Sequence, residues 1–239
     1  MDHITITKRV KSTCEIHEDA TLVACFLFNS ARPYDDLGPN SLQTTELSTE
    51  IVSSGYSQEA ISFNGTSYFQ ISSLTGLGTS NQSYSIVLWI RPRTTLNNII
   101  HVSSNSLGQG WCSNFLSLST NGSIVASTIS DTLISVWGPS IPMYPVWTHV
   151  AQTWSQSNDL RLYINGILAS VQTTAAGYSA SDTSNFMTLG NSLQGADYCP
   201  GTALDSQVLA LFNGDMDDFR VYSRELSITE INTIYENEL

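Results

Sequence analysis

The side chains of this chain that could do chemistry are mostly carboxylates. Asp215, Asp217 and Asp218 stand in Gly214-Asp-Met-Asp-Asp-Phe-Arg-Val-Tyr222, and Asp35 and Asp36 in Tyr34-Asp-Asp-Leu-Gly-Pro-Asn40. Retaining glycoside hydrolysis needs two carboxyls about 5–5.5 Å apart. The chain has no strand-like run that sets two Glu, or a Glu and an Asp, in such a pair, and its cluster at Asp215, Asp217 and Asp218 is Asp only. It also lacks the Gly-x-Ser-x-Gly elbow of a serine hydrolase, the His-Glu-x-x-His of a zinc protease and the Gly-x-x-x-x-Gly-Lys that cradles phosphate. Gly76 and Gly78 make only Gly-x-Gly, which a turn explains. The expectation is a protein that is not an enzyme. The acidic residues instead offer the hard oxygen ligands that Ca2+ takes.

Cys14, Cys25, Cys112 and Cys199 permit three pairings. None sits in a Cys-x-x-Cys pair, so a zinc site or a redox motif has no support. Cys14 with Cys25 would pin an N-terminal tail to the first strand, and Cys112 with Cys199 would then tie two distant loops together. Buried free thiols are the competing reading. Asn64-Gly-Thr, Asn81-Gln-Ser and Asn121-Gly-Ser are glycosylation sequons, each at an expected turn or loop. Cysteines and sequons together point to a secreted or extracellular protein. The N-terminus has basic residues but no apolar signal stretch, which reads as a fragment of a larger secreted chain.

Those side chains need a rigid frame. A chain of 239 residues is a comfortable length for one all-β sandwich, which runs to about 200–250. Charged residues make up 13%, about half the usual ~25%, and Ser and Thr fill the gap. Nine Lys plus Arg against 21 Asp plus Glu leave a net charge of −12, with no basic stripe. Such a surface repels phosphate backbones, so nucleic acid is excluded as a partner. No apolar run reaches the ~18–20 residues of a membrane span, so membrane insertion is excluded as well.

Residues 1–20 read as a polar tail or linker, and residues 21–239 as one domain. From Leu22 onward, short apolar runs alternate with Gly, Asn, Ser and Pro, the rhythm of an antiparallel two-sheet β-sandwich. Strands are expected at Leu22–Phe28, Glu59–Phe63, Tyr68–Ile71, Tyr84–Arg91, Ile99–Ser103, Phe115–Ser119, Ile124–Ile129, Leu133–Trp137 and Trp147–Trp154. Leu160–Ser170 is an alternating run broken by Asn165-Gly166, the dipeptide suited to a type I′ hairpin turn. Phe212–Tyr222 reads as a long last strand. One short C-terminal helix follows, because Ser227-Ile-Thr-Glu230 is a capping box and Ile228, Ile231, Ile234 and Tyr235 recur at helical spacing.

Six ordered segments resemble the laminin-G-like jelly-roll family, which is related to pentraxins and concanavalin A-like lectins. They are Ala60-Ile-Ser-Phe-Asn-Gly65, Tyr84-Ser-Ile-Val-Leu-Trp-Ile-Arg-Pro92, Trp147-Thr-His-Val-Ala151 and Leu160-Arg-Leu-Tyr-Ile-Asn-Gly166. The closing segments are Gly214–Tyr222 and Leu226-Ser-Ile-Thr-Glu-Ile231. The fold this implies puts Trp89, Trp147, Trp154 and Tyr163 between two sheets, with Trp147 a core residue and His149 structural. The resemblance further implies a Ca2+ site at Asp36, Asn40 and Asp217, with Asp35 and Asp218 as neighbouring substitutes. The loop departs from the family's usual Asp-x-Ser-Gly-x-Gly-Asn, and a turn with solvated carboxylates is the other reading. A lectin-like role, binding glycans or glycoproteins, is implied too, with a structural or adhesion module that binds protein as the alternative. If Cys112 and Cys199 pair, Trp111 and Tyr198 come to one loop cluster with Asn114 and Asp197, as a sugar site or as rings packed over the disulfide.

Overall fold

Along most of the chain, residues of period two face alternately inward and outward, and they fold into two stacked sheets. A computed structural model describes residue 14 and residues 19–172, 177–197, 199 and 210–237. The first strands are β1 (Leu22–Phe26), β2 (Thr44–Leu47), β3 (Glu50–Val52), β4 (Ala60–Asn64) and β5 (Tyr68–Leu74). Then come β6 (Tyr84–Pro92), β7 (Asn97–Ser103), β8 (Cys112–Leu118), β9 (Ser123–Ile129) and β10 (Leu133–Ser140). The series continues with β11 (Thr148–Ser155), β12 (Asp159–Ile164), β13 (Ile167–Val171) and β14 (Asn185–Leu189). It ends with β15 (Ala210–Leu211), β16 (Asn213–Tyr222) and the helix α1 (Ile228–Asn237).

The first sheet runs β13-β12-β11-β6-β16-β4-β3, with β1 also on β16; the second runs β10-β9-β8-β7-β14-β5-β2. All these pairings are antiparallel; the short β15 adds to β7 in parallel. The architecture is the expected sandwich with one C-terminal helix. The hairpin β12–β13 turns at Asn165 and Gly166, whose φ of 49° and 76° are the left-handed values that a type I′ turn demands. The strands β2, β3, β14 and the short β15 lay outside the expected set. The sequence Thr-Thr-Glu-Leu of β2 is mostly exposed and lacks apolar alternation, and β14 emerges from a Ser/Thr-rich stretch.

The core fills the space between the sheets. Phe26 meets Phe69 edge-on at 5.1 Å, and Tyr84 of the first sheet lies 5.5 Å from Phe115 of the second. Of the four large rings expected there, only Trp154 belongs to this cluster. On β6 the inward positions are Tyr84, Ile86, Leu88 and Ile90, so strict alternation turns Trp89 to the outer face. On β12, Leu160 and Leu162 point in and Tyr163 points out, into a second cluster. Trp147, expected in the core, is only half-buried.

That second cluster covers part of the outer face of the first sheet. Ile231 and Ile234 of α1 pack with Leu226 on Val87, Ala151, Tyr163 and Tyr222. The helix starts at the expected capping box: Ser227 Oγ accepts from Glu230 N at 3.3 Å, and Glu230 Oε2 accepts from Ser227 N at 2.8 Å. Arg224 ties the same end to Asp19 at 2.6 Å and to Glu230 at 2.7 Å. No described helix is long and apolar enough to cross a membrane.

Both disulfides form, Cys14 with Cys25 and Cys112 with Cys199. The second closes a loop of sequence separation 87. Replacing both Cys112 and Cys199 by Ala is expected to remove roughly 4 kcal/mol of stability by freeing the unfolded chain. The check is a urea denaturation midpoint; an unshifted midpoint would mean that the bond constrains little.

Candidate functional site

Outward-facing residues of neighbouring strands line up in cross-strand rows wherever register is fixed. On β6, Trp89 pairs with His149 of β11 on one side and with Asp217 of β16 on the other. Two residues further along, Arg91 pairs with Asp215 of β16, and the β11 end of that row leads to Trp147. Both rows lie on the outer face of the first sheet, beyond the edge of the α1 cluster.

The inner row is a stack of rings. Trp89 lies between Tyr56, at 3.4 Å and 13° between planes, and Tyr235 of α1, at 5.6 Å. His149 meets Trp89 edge-on at 5.1 Å. Burial first, and then the charge of Arg220, push its imidazole down to about 3, so His149 is neutral at neutral pH. It is a structural ring, as expected.

The outer row is charged and reaches solvent. The Asp215 carboxylate is fully buried, yet it holds Arg91 at 2.8 Å and Arg93 at 2.8 Å. A buried charge is tolerable only when paired and hydrogen-bonded in this way. The Arg91 guanidinium lies 4.9 Å from the Tyr144 ring centre and 4.5 Å from that of Trp147; Arg93 lies 5.2 Å from Tyr144. These are cation–π distances. Tyr144 keeps 53% of its surface in solvent and Val146 47%, while Trp147 is half-buried with its edge on Tyr56. The result is an aromatic ledge with guanidinium groups beside it, built on a rigid sheet. Sequence reasoning missed it, although the Trp-Ile-Arg-Pro-Arg run that ends β6 and continues one residue past it, read at period two, puts Trp89, Arg91 and Arg93 on one side.

The expected ligand cluster on the second sheet is packed differently. Cys112 and Cys199 do bring their loops together, with Cα atoms 5.3 Å apart. Trp111 is half-buried against the core, its ring edge-on to Tyr178 at 6.1 Å. Asn114 is nearly buried and engaged with His101 Nδ1 at 2.8 Å, while His101 Nε2 bonds the Gly108 carbonyl at 2.9 Å. Tyr198 and the Asp197 side chain lie outside the described residues. As placed, Trp111 and Asn114 serve packing.

The residues named for Ca2+ are engaged in hydrogen bonds and ion pairs of their own. Asp36 Oδ1 accepts from the amides of Cys25 and Gly38 at 2.9 Å each, and Oδ2 from that of Leu42 at 3.0 Å. Asp217 accepts from Ser57 N at 3.1 Å and Asp218 N at 2.8 Å. Asn40 donates to the Val23 carbonyl at 2.8 Å, and the exposed Asp35 pairs with Arg32 at 2.9 Å. No three of the four carboxylates have oxygens within 4.8 Å of one another. The His101, Cys112 and Cys199 group does come together, but its sulfurs are joined in the disulfide. The three sequon asparagines Asn64, Asn81 and Asn121 are all exposed, and the Asn81 side chain also accepts from Tyr178 N at 3.1 Å.

A family model described as the concanavalin A-like lectin/glucanases superfamily, of the laminin-G type, matches residues 63–232. No curated protein matches the chain in sequence. Among solved structures it is similar to domain 4 of AbnA, a GH43 extracellular arabinanase from Geobacillus stearothermophilus, in complex with arabinotriose. That match has 21% identity, covers 90% of this chain and 98% of the other, and has a TM-score of 0.61. The binding domain of Paraclostridial Mosquitocidal Protein 1 matches at 20% identity over 90% and 52% of the two chains, TM-score 0.63. The binding domain of Botulinum Neurotoxin DC in complex with SialylT matches at 15% over 92% and 52%, TM-score 0.63. The chain thus spans about half of each toxin domain, and at these identities the likeness is one of fold.

Two outcomes follow from these placements. Asp36→Ala strands three main-chain amides and is expected to cost roughly 3 kcal/mol, equally in calcium and in chelator; a calcium-dependent loss in a melting experiment would put a cation there. For His149 the folded value lies below the unfolded one, so protons bind preferentially to the unfolded chain as pH falls below about 6.5. Stability should therefore drop by about 1.4 kcal/mol per pH unit from this group between about pH 6 and its folded value. His101, also held low by burial, acts in the same sense. His149→Phe should flatten the slope by one proton in urea titrations at pH 7 and pH 5; an unchanged slope removes His149 from the effect.

Proposed function

The chain belongs to the laminin-G-like family of the concanavalin A-like lectin/glucanases superfamily, and on that premise we propose that it is an extracellular, non-catalytic carbohydrate-recognition module. Its sugar-contacting surface is the ledge of Tyr144, Trp147 and Arg93. The observation that carries this reading is an exposed ring held beside guanidinium groups on a rigid sheet. Sugar faces are apolar and their hydroxyls need directional partners, so a ring with donors at its side is what they require. Among solved structures of similar fold, the arabinanase domain is in complex with arabinotriose and the toxin domain with SialylT, which supports a carbohydrate ligand.

A non-catalytic role is supported by the state of the carboxylates. Asp215 is committed to two arginines and Asp36 to main-chain amides, so neither is placed as an acid or a nucleophile. Two disulfides and exposed sequon asparagines support an extracellular setting. Calcium has no part in this reading. Protein adhesion is the second reading, favoured by the edge strand β13, where Ile167 is 71% and Leu168 40% exposed.

A glycan array separates the two readings. The wild-type chain should bind a restricted set of glycans, and Tyr144→Ala and Trp147→Ala should each weaken those signals about tenfold, or roughly 1.4 kcal/mol. Binding by Trp111→Ala should match wild type. No glycan signal, or signals indifferent to Tyr144 and Trp147, would reject the ledge as a sugar site.

A further inference from the structure

Charge decides which sugars such a ledge prefers. The chain carries −12 overall, and several of its arginines face carboxylates one for one or better. Arg32 has Asp35, Arg161 has Glu225, and Arg224 has both Asp19 and Glu230. At the ledge the ratio inverts, because Arg91 and Arg93 share the single carboxylate of Asp215. The cluster of these three groups therefore keeps one positive charge beside the exposed ring of Tyr144.

That surplus charge is accessible on one residue. Arg91 is 7% exposed and spends Nε and Nη2 on Asp215 and Ser54. Arg93 is 35% exposed and uses Nη2 alone, which donates to both oxygens of Asp215. Its Nε–H and the two N–H of Nη1 have no protein partner among the described residues. Asp215 and the Tyr144 ring fix the guanidinium plane, so these donors are aimed before any ligand arrives. An anionic oxygen there adds ion-pair attraction to the guanidinium hydrogen bonds, which a neutral hydroxyl does not.

We propose that the ledge selects saccharides bearing an anionic group, a carboxylate or a sulfate ester, and that Arg93 reads that group. The proposal rests on the carbohydrate reading above. It specifies what that reading leaves open, since Tyr144 and Trp147 alone would accept a neutral sugar equally well.

The test is an array printed with neutral glycans and with their sialylated, uronate-bearing and sulfated counterparts. It is probed with the full chain as wild type, Arg93→Gln and Arg93→Lys, at low and at high salt. Wild type should bind anionic members about tenfold or more above their neutral partners, with the gap shrinking in high salt. Arg93→Gln should bind both members alike, having lost the preference for the anionic one. Arg93→Lys keeps the charge and should retain part of the preference, which separates loss of the donor from loss of the fold. The carboxylate and sulfate arms distinguish the two sources of the anion. Equal binding of neutral and anionic members by wild type overturns the selection while leaving the sugar site standing. A preference that survives in Arg93→Gln overturns the role of Arg93, and an array with no signal at all overturns both readings.

Discussion

Pairing of β6 with β16 is the constraint on which both the core and the outer face depend. The two strands share seven register pairs, from Gly214 opposite Pro92 to Tyr222 opposite Ser85. With β11 on its other edge, β6 is fixed on both sides and cannot slip. A shift by one residue would send Trp89 and Arg91 into the core and Leu88 and Ile90 into solvent. The bulge between Asp217 and Arg220 adds a second constraint, with Asp218 at φ 47°. It resets alternation so that Met216 and Phe219 both reach the core while Asp215 and Asp217 stay on the outer face.

The ion pairs on that face make sense as devices of arrangement more than of stability. Taking a carboxylate and two guanidiniums out of water costs much of what their attraction returns. What they supply is position: Asp215 holds Arg91 against Trp147 and Tyr144, and it aligns Arg93 at the rim. The ring stack of Tyr235, Trp89 and Tyr56 does the same from below, linking α1 to the loop around Tyr56. A ledge supported in this way loses little freedom when a ligand settles on it.

The outer face of the second sheet took the opposite course. Loops after β7 and after β14 roof it, and they touch so closely that glycine is required. A Cβ on Gly195 would lie 2.2 Å from the Gly108 carbonyl oxygen, and one on Gly108 would lie 2.3 Å from that of Ser192. The Cys112–Cys199 bond and the buried His101 lie beneath this roof. His101 is spent there on Asn114 and the Gly108 carbonyl, and Trp111, expected to meet a sugar, packs against the core.

Period-two alternation, the Asn165-Gly166 turn and the capping box at Ser227 were legible in the sequence because each is a local signal acting over a few residues. They determined the β-sandwich, its hairpin and its closing helix. Which face a large ring occupied was not local, and Trp89 and Tyr163 went outward because strand alternation outranks side-chain size. The strands β2 and β3 carried no pattern of their own and exist because β5 and β4 offer them partners. The candidate site belongs to the same class. Asp215 lies far along the chain from the Arg91 and Arg93 segment, with Tyr144 on a further loop, so only tertiary pairing could bring the two guanidiniums to one buried carboxylate and an exposed ring.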